Sequence, residues 1–123
     1  IVVTSDTLVW HNNKALGKPK DTQEAYTILN SLSNATHEVI TSVCFKTNIK
    51  TDVIFEITKV TFNELSDEAI AYYIENYKPF DKAGAYGIQE WIGFIGVSKI
   101  DGSYANVIGL PVDKVFQYLS NLA

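Results

Sequence analysis

The sequence predicts a single domain of the α/β class, and three observations support this prediction. Its 123 residues suit one domain with one core. Runs rich in Val, Ile, Phe and Thr alternate with segments whose apolar residues recur at helical spacing. The balance of 46% hydrophobic and 20% charged residues is that of a globular protein, which excludes a disordered tail and a fibrous repeat. No window approaches the run of about 18 apolar residues that a membrane span needs.

The charge pattern and the single cysteine narrow the class of protein further. The 10 basic residues, all lysine, and 14 acidic residues give a net charge of −4 without a block of like charges, which argues against a nucleic-acid partner. Cys44 cannot form an internal disulfide and is expected to pack as a small hydrophobe in a strand. The chain shows no secretory leader, so we expect a cytoplasmic location. It also has no methionine, which suggests that a segment precedes Ile1.

The first third of the chain predicts two short strands and a helix. Ile1–Thr4 is a continuous β-branched run, typical of a strand covered on both faces, and Leu8–Trp10 reads as a second strand. The stretch 11–14, which contains two Asn residues, is typical of a turn because Asn tolerates positive φ. The segment Asp21–Glu24 has the side chains of a capping box, which predicts a helix from about Thr22 to Leu32. Its buried face would carry Ala25, Ile28, Leu29 and Leu32.

The middle of the chain predicts a hairpin, a helix and a loop. The β-rich runs His37–Thr47 and Val53–Phe62, separated by polar residues, indicate a long antiparallel hairpin. Ser66 followed by two acidic residues predicts a helix that ends near Asn76. Residues Phe80–Gln89 contain two glycines and are expected to form a loop.

The last third predicts a strand, a turn and a helix. Trp91–Ile100 reads as a strand, and Asp101–Gly102 is the signal of a two-residue hairpin. Pro111 suits the first turn of a final helix. That helix is expected to carry inward its apolar residues Val112, Val115, Phe116 and Leu119.

A few residues have the chemistry of a ligand site. Asp6, expected just past the end of the first strand, could hold a divalent cation or activate water, or could cap the following turn. Lys18 stands between Gly17 and Pro19, and Lys82 lies in the glycine-containing loop, so two lysines are held by restricted backbone. They would suit a polyphosphate with its metal ion, although each alone could be a solvated surface charge. The histidines and Cys44 lack the paired spacing of a zinc site.

Three segments taken together resemble a known family. They are Ser5–Val9 followed by Gly17–Pro19, the run Phe80–Gln89 with the sequence FDKAGAYGIQ, and Gly102–Pro111 with the sequence GSYANVIGLP. In order and approximate spacing they resemble the Maf family of nucleotide pyrophosphatases, first described as septum-formation inhibitors. The resemblance runs along the whole chain, and the glycine-containing run is its most specific part.

The resemblance implies a fold, a reaction and site residues. The fold would be a mixed α/β sheet flanked by helices, like that of inosine triphosphate pyrophosphatases. The reaction would hydrolyse dTTP, UTP and related or modified pyrimidine nucleotides to the monophosphate and pyrophosphate, with Mg²⁺ or Mn²⁺. Asp6 would be the general base and a metal neighbour, Lys18 and Lys82 would contact the phosphates, and Thr7 and Gln89 would set specificity. Tyr86 and Trp91 are further candidates for the base pocket.

The chain also departs from the family pattern. Family members begin with a strand and a Ser-x-Arg-Arg loop that grips the triphosphate, and neither precedes Ile1, so residues 1–123 are expected to form one domain without them. Glu90 stands where the family usually has a small residue. A non-catalytic, nucleotide-binding regulator of cell division and an inactive fragment are the alternative functions. A homodimer stays open as a partner, whereas a membrane is not expected.

Overall fold

A computed structural model describes residues 1–122, and within them one five-stranded sheet is flanked by helices. The α/β class is confirmed. The strand order is β2-β1-β3-β4-β5, and each of these neighbouring pairs is antiparallel. The elements are β1 (Val2–His11), β2 (Lys14–Leu16), α1 (Thr22–Leu32), β3 (Thr36–Lys46), β4 (Thr51–Phe62), α2 (Asp67–Tyr77), a 3₁₀ turn (Ala83–Ala85), α3 (Trp91–Gly96), β5 (Val97–Asp101), α4 (Tyr104–Ile108) and α5 (Val112–Asn121).

Strand β1 replaces the two short strands that the sequence predicts. It pairs with β3 without interruption from Val2 opposite Lys46 to Trp10 opposite Glu38. Asp6 therefore lies in the middle of a strand, and the prediction that it follows a strand end is wrong. The strand is also not covered on both faces, since Val2 is 58% exposed. A run of β-branched residues favours the extended backbone of a strand. That preference does not depend on whether one face or both faces of the strand are covered by other elements.

The turn and helix that follow β1 are confirmed. Asn12 and Asn13 both have positive φ, as the tight turn between β1 and β2 requires. The Oδ1 atom of Asp21 accepts a hydrogen bond from the Glu24 amide at 2.8 Å, which caps α1 at its predicted start. The four predicted apolar residues of α1 are all buried.

The hairpin β3–β4 is also confirmed, and its alternation defines two faces of the sheet. Odd-numbered residues of β3 from 37 to 45 are buried, and we call this side the inner face. Even-numbered residues of β3 point to the other side, the outer face, together with Asp6 and Leu8 of β1. Helices α1, α2 and α3 and the loop before α3 supply the core that also contains Val9 and Phe62 of the sheet.

Helix α2 follows its predicted cap, but the next segment differs from the prediction. Ser66 Oγ accepts a hydrogen bond from the Ala69 amide at 3.1 Å, and the helix ends at Tyr77. The predicted strand over Trp91–Ile100 is instead α3 followed by β5. An apolar run of this length is compatible with either element, and here packing decides, because a Cβ at Gly93 would lie 1.8 Å from the Ile88 carbonyl oxygen.

The predicted hairpin at Asp101–Gly102 is wrong as well. The chain leaves β5 through Gly102 and enters α4, whose first turn is capped by Ser103. The Oγ atom of Ser103 accepts a hydrogen bond from the Asn106 amide at 3.1 Å, so a helix start competes with the hairpin turn.

Helix α5 begins after Pro111 as predicted, but three of the four residues expected to point inward are exposed, and only Val115 is half-buried. Val112 is 55% exposed and Phe116 is 71% exposed. The opposite side of the helix contacts the sheet, because Lys114 Nζ lies 3.1 Å from Glu56 Oε2 and the Tyr118 ring stacks on Phe45. The side of α5 that faces the sheet is therefore set by one ion pair and one aromatic contact. The spacing of the apolar residues predicts a different side. Of the helices described within residues 1–122, none is long and apolar enough to cross a membrane.

Candidate functional site

Two loops that carry the predicted lysines meet at the inner face of the sheet. The Gly84 amide donates a hydrogen bond to the Gly17 carbonyl at 3.2 Å, which joins the glycine-containing loop to the Gly-Lys-Pro loop. Gly84 has φ +73°, and a Cβ there would lie 2.8 Å from a methyl of Val9. Only glycine lets the loop approach β1 this closely. Lys18 and Lys82 are brought together by this approach.

A cavity of about 410 Å³ opens between these loops, β1 and α4. Four of the five predicted site residues line it, namely Thr7, Lys18, Lys82 and Gln89. Its volume lies within the usual range of small-molecule sites, about 300–1,000 Å³. Tyr86 also lines the cavity, as the base-pocket prediction has it, whereas Trp91 packs against Tyr72 and is not among the lining residues.

Asp6 occupies a different position from the other four residues. Neighbouring residues of a strand point to opposite faces, so Asp6 lies on the outer face, opposite Ser42, while Thr7 faces the cavity. Strand β2 pairs only with residues 9–11 of β1, which leaves β1 as the sheet edge at Asp6. Its exposed carboxylate forms no hydrogen bond or ion pair with another of residues 1–122.

Thr7 is tied to α4 through a buried polar network. Its Oγ1 lies 2.9 Å from the Thr41 Oγ1, and the Thr41 hydroxyl donates to the Asn106 carbonyl at 3.3 Å. The Asn106 side-chain amide donates to the carbonyls of Val39 and Glu56, each at 3.2 Å. These contacts link one wall of the cavity to β3 and β4, while the Asn106 Oδ1 is buried without a hydrogen-bond partner among residues 1–122.

The Lys82 ammonium lies close to two carboxylates. Its Nζ is 3.4 Å from Asp81 Oδ1 and 3.9 Å from Glu90 Oε1, and its side chain is one-third exposed. Such partly exposed pairs are weak, so a bound anion can compete for the ammonium. Asp81 also lines the cavity, and the sequence reasoning did not single it out.

The Tyr86 side chain is fixed from behind by buried aromatic groups. His37 Nε2 lies 2.7 Å from the Tyr86 hydroxyl, and the His37 ring stacks on Phe62. Burial, with a smaller effect of nearby His11, lowers the pKa of His37 to about 4, so the ring is neutral at pH 7. Burial likewise raises the pKa of Tyr86, which keeps its hydroxyl protonated. The cavity wall at Tyr86 is therefore uncharged, and the Tyr86 hydroxyl has a buried hydrogen-bond partner.

Comparison with known proteins places these features in a family. Residues 1–122 match the family described as Maf-like protein. The chain belongs to the Maf family. It is 66% identical over 122 residues to the dTTP/UTP pyrophosphatase of Flavobacterium johnsoniae, covering 99% of this chain and 63% of the relative. It is 68% identical over 121 residues to the protein of that name from Flavobacterium psychrophilum, covering 98% and 62%.

A more distant relative gives the same result. The dTTP/UTP pyrophosphatase of Bacteroides fragilis is 50% identical over 122 residues, with 99% of this chain and 63% of the relative covered. The chain thus spans slightly less than two-thirds of the length of these curated relatives.

Within this Maf-family chain, further functional candidates come from the structure alone. Tyr73 is fully buried beneath the glycine-containing loop and hydrogen-bonds to Glu90. Sequence reasoning missed Tyr73, although its place on the apolar side of α2 beside Ile70 and Ile74 signals a buried hydroxyl that needs a partner.

A metal centre built from protein side chains alone is not found among residues 1–122. No three His, Cys, Asp or Glu side chains in this part of the chain are grouped closely enough to hold an ion. His11 and His37 do approach each other, with ring centroids 6.4 Å apart, but His11 Nε2 is hydrogen-bonded to the Ser31 carbonyl. Cys44 lies in β3 as predicted, but it is only half-buried, so the burial expected of a small hydrophobe is partial.

Proposed function

We propose that this chain carries the substrate cavity of a nucleoside triphosphate pyrophosphatase that acts on dTTP, UTP and related or modified pyrimidine nucleotides. The observation that carries the proposal is the convergence of Lys18, Lys82, Thr7 and Gln89 on one cavity from separate segments. The three relatives described above are named dTTP/UTP pyrophosphatases, which supports dTTP and UTP as substrates in this proposal. In the reaction, the water oxygen forms a bond to the α-phosphorus, and the bond from that phosphorus to the oxygen that bridges the α and β phosphates breaks. The two products are the nucleoside monophosphate and pyrophosphate.

The lysines and the exposed amide have complementary roles in this proposal. Lys18 and Lys82 supply positive charge for the β and γ phosphates, with which Asp81 and Glu90 compete only weakly. Gln89 is exposed at the cavity and offers one donor and one acceptor. Thymine and uracil present an N–H flanked by carbonyls, so the amide can form two hydrogen bonds with that edge.

Asp6 serves as the general base in this proposal and takes the proton of the attacking water. The open edge of β1 is where one bound molecule can contact residues of both faces, with its base beside Thr7, its β and γ phosphates beside the lysines of the cavity and its α-phosphate reaching Asp6 around the edge. An exposed carboxylate without an ion pair among residues 1–122 suits this role.

Mg²⁺ fits the same donor set. This ion is commonly held by one or two carboxylates together with substrate phosphates, and it keeps several waters. Asp6 would hold it with the phosphates, and it would neutralise charge that develops on the leaving pyrophosphate.

Pyrophosphate release with Mg²⁺ tests the proposal. We expect turnover of dTTP and UTP to exceed that of dATP, and Lys82→Ala to weaken the use of dTTP about 10- to 100-fold, the value of one charged hydrogen bond. Lys99→Ala is the matched control, because Lys99 is exposed on β5, three strands away from β1. Binding of nucleotide without release of pyrophosphate would instead support a non-catalytic regulator or an inactive fragment, and equal use of dTTP, UTP and dATP would contradict the proposed specificity.

A further inference from the structure

The hydroxyl of Tyr73 joins two points of the loop that lines the cavity. Tyr73 has no exposed surface, and its ring packs in the core beneath the loop. The Gly87 amide donates a hydrogen bond to the Tyr73 hydroxyl at 3.0 Å. The same hydroxyl donates to Glu90 Oε1 at 2.6 Å. One buried group therefore satisfies a backbone donor and a carboxylate acceptor three residues apart.

Those two points are the ends of a single turn. The Glu90 amide donates to the Gly87 carbonyl at 3.0 Å, which closes the four-residue segment from Gly87 to Glu90. Inside it, Ile88 is buried at 8% exposure, while Gln89 is exposed and lines the cavity. The position of the Gln89 side chain therefore depends on how firmly both ends of this turn are held.

The turn is also confined by close packing on its other sides. A Cβ at Gly87 would lie 2.7 Å from Glu90 Oε1 and 2.8 Å from Lys82 Cε, so the lysine side chain passes directly over the glycine. The backbone of α3 packs against Ile88, where Gly93 leaves no room for a side chain. The polar contacts with Tyr73 and this packing together restrain the turn from Gly87 to Glu90.

We propose that Tyr73 is a positioning residue whose hydroxyl fixes the turn that presents Gln89, and so helps to set the preference for a pyrimidine base. This role rests on the proposed function, because Gln89 reads a base only if the cavity binds a nucleotide. Tyr73 itself does not touch the substrate. Burial, followed by the hydrogen bond to Glu90, raises the pKa of Tyr73, so the hydroxyl keeps its proton and its donor role across the working pH range.

The test removes the hydroxyl and leaves the ring, in Tyr73→Phe. The first measurement is the hydrogen-exchange rate of the Gly87 amide in the protein without nucleotide, and the second is the ratio of kcat/KM for dTTP to that for dATP. We expect exchange at Gly87 to become about tenfold faster and the dTTP preference to fall about tenfold, each the loss of roughly one hydrogen bond. Tyr77→Phe is the matched control, because the Tyr77 ring stacks on Tyr73 while its hydroxyl has no partner among residues 1–122.

Two variants of Glu90 keep the test decisive if Tyr73→Phe does not fold. Glu90→Gln keeps an oxygen that can accept from Tyr73 and should preserve Gly87 protection and base preference. Glu90→Ala removes that acceptor and should lower the base preference. Unchanged Gly87 exchange and unchanged preference in folded Tyr73→Phe, or in Glu90→Ala, would overturn the positioning role. A parent protein that binds no nucleotide would refute the proposed function instead, and Gly87 exchange would still decide whether Tyr73 fixes the turn.

Discussion

The inner and outer faces of the sheet are built from similar residues but have different surroundings. On the inner face, Val43 and Phe45 have no exposed surface. On the outer face, Val53, Phe55 and Ile57 are each at least half exposed in residues 1–122. The difference shows that apolar strand residues specify a strand but not which of its faces is covered.

The same contrast separates the candidate site into two parts. The cavity and its lysines belong to the inner side, where helices and loops cover the sheet. Asp6 is on the outer side, one residue from Thr7. A reaction that uses both Asp6 and the cavity must therefore take place across the open edge of β1. Substitutions on the two faces of the sheet test this arrangement.

The largest expected effect is on turnover, in Asp6→Asn. If the carboxylate takes the proton of the attacking water, its loss should reduce kcat about 10²- to 10⁴-fold. Asp6 is exposed, so the free energy of unfolding should hardly change. Pyrophosphate release and thermal unfolding measure the two quantities. Glu38→Gln is the control, because it removes another carboxylate of the outer face. A normal rate in Asp6→Asn would remove the outer face from the mechanism.

The next effect is on stability, in Asn106→Ala. The Asn106 amide donates to the backbone carbonyls of Val39 and Glu56 and to the Thr58 hydroxyl, and Asn106 has no exposed surface. Its removal leaves buried carbonyls without a donor, and we expect a loss of about 3 kcal/mol in the free energy of unfolding by urea titration. Asn30→Ala, at an exposed position of α1, should stay within about 0.5 kcal/mol. Equal losses in the two variants would show that the inner-face network contributes little.

A pH effect of intermediate size is expected from His37 of the inner face. Its pKa is about 4 in the folded protein and near 6.5 in an unfolded chain. Between these values the unfolded chain binds more protons, so stability is complete above pH 6.5 and falls as the pH drops toward 4. From pH 7.5 to pH 5 we expect a loss of about 2 kcal/mol.

Urea titrations of the parent protein and of His37→Gln at both pH values measure this effect. The substitution removes the titrating group, so the difference in stability between the two pH values should shrink by the contribution of His37. An unchanged difference in the variant would mean that other groups cause the pH dependence.

Local signals in the sequence predicted the elements whose ends are set by local contacts. Helix α1 begins after the Asp21 cap, and the β3–β4 hairpin follows the polar stretch between two β-rich runs. Elements decided by distant packing were missed. Helix α3 depends on the close approach of Gly93 to Ile88, and the orientation of α5 depends on Lys114 and Tyr118 contacting β3 and β4.

The candidate site shows the same division between local and distant information. Lys18, Lys82 and Gln89 were found because they lie in recognisable segments, and the cavity brings them together. Tyr73 lies outside those segments and reaches Gly87 only through the packing of α2 under the loop. No spacing rule along the chain reports such a contact, because it depends on how a helix and a loop meet in three dimensions.

The smallest expected effect compares the two faces directly with one substitution, Val→Ala. Val43 of the inner face has no exposed surface, and Val53 of the outer face is 50% exposed. Val43→Ala loses buried methyl groups and leaves a cavity, so it should cost about 2 kcal/mol. Val53→Ala should change the free energy of unfolding by no more than about 0.5 kcal/mol, since solvent already reaches its side chain. Urea titration of each variant at a low and a high protein concentration measures both costs. A cost for Val53→Ala close to that of Val43→Ala would show that the outer face is covered in solution, and a dependence of that cost on protein concentration would identify another copy of the chain as the cover.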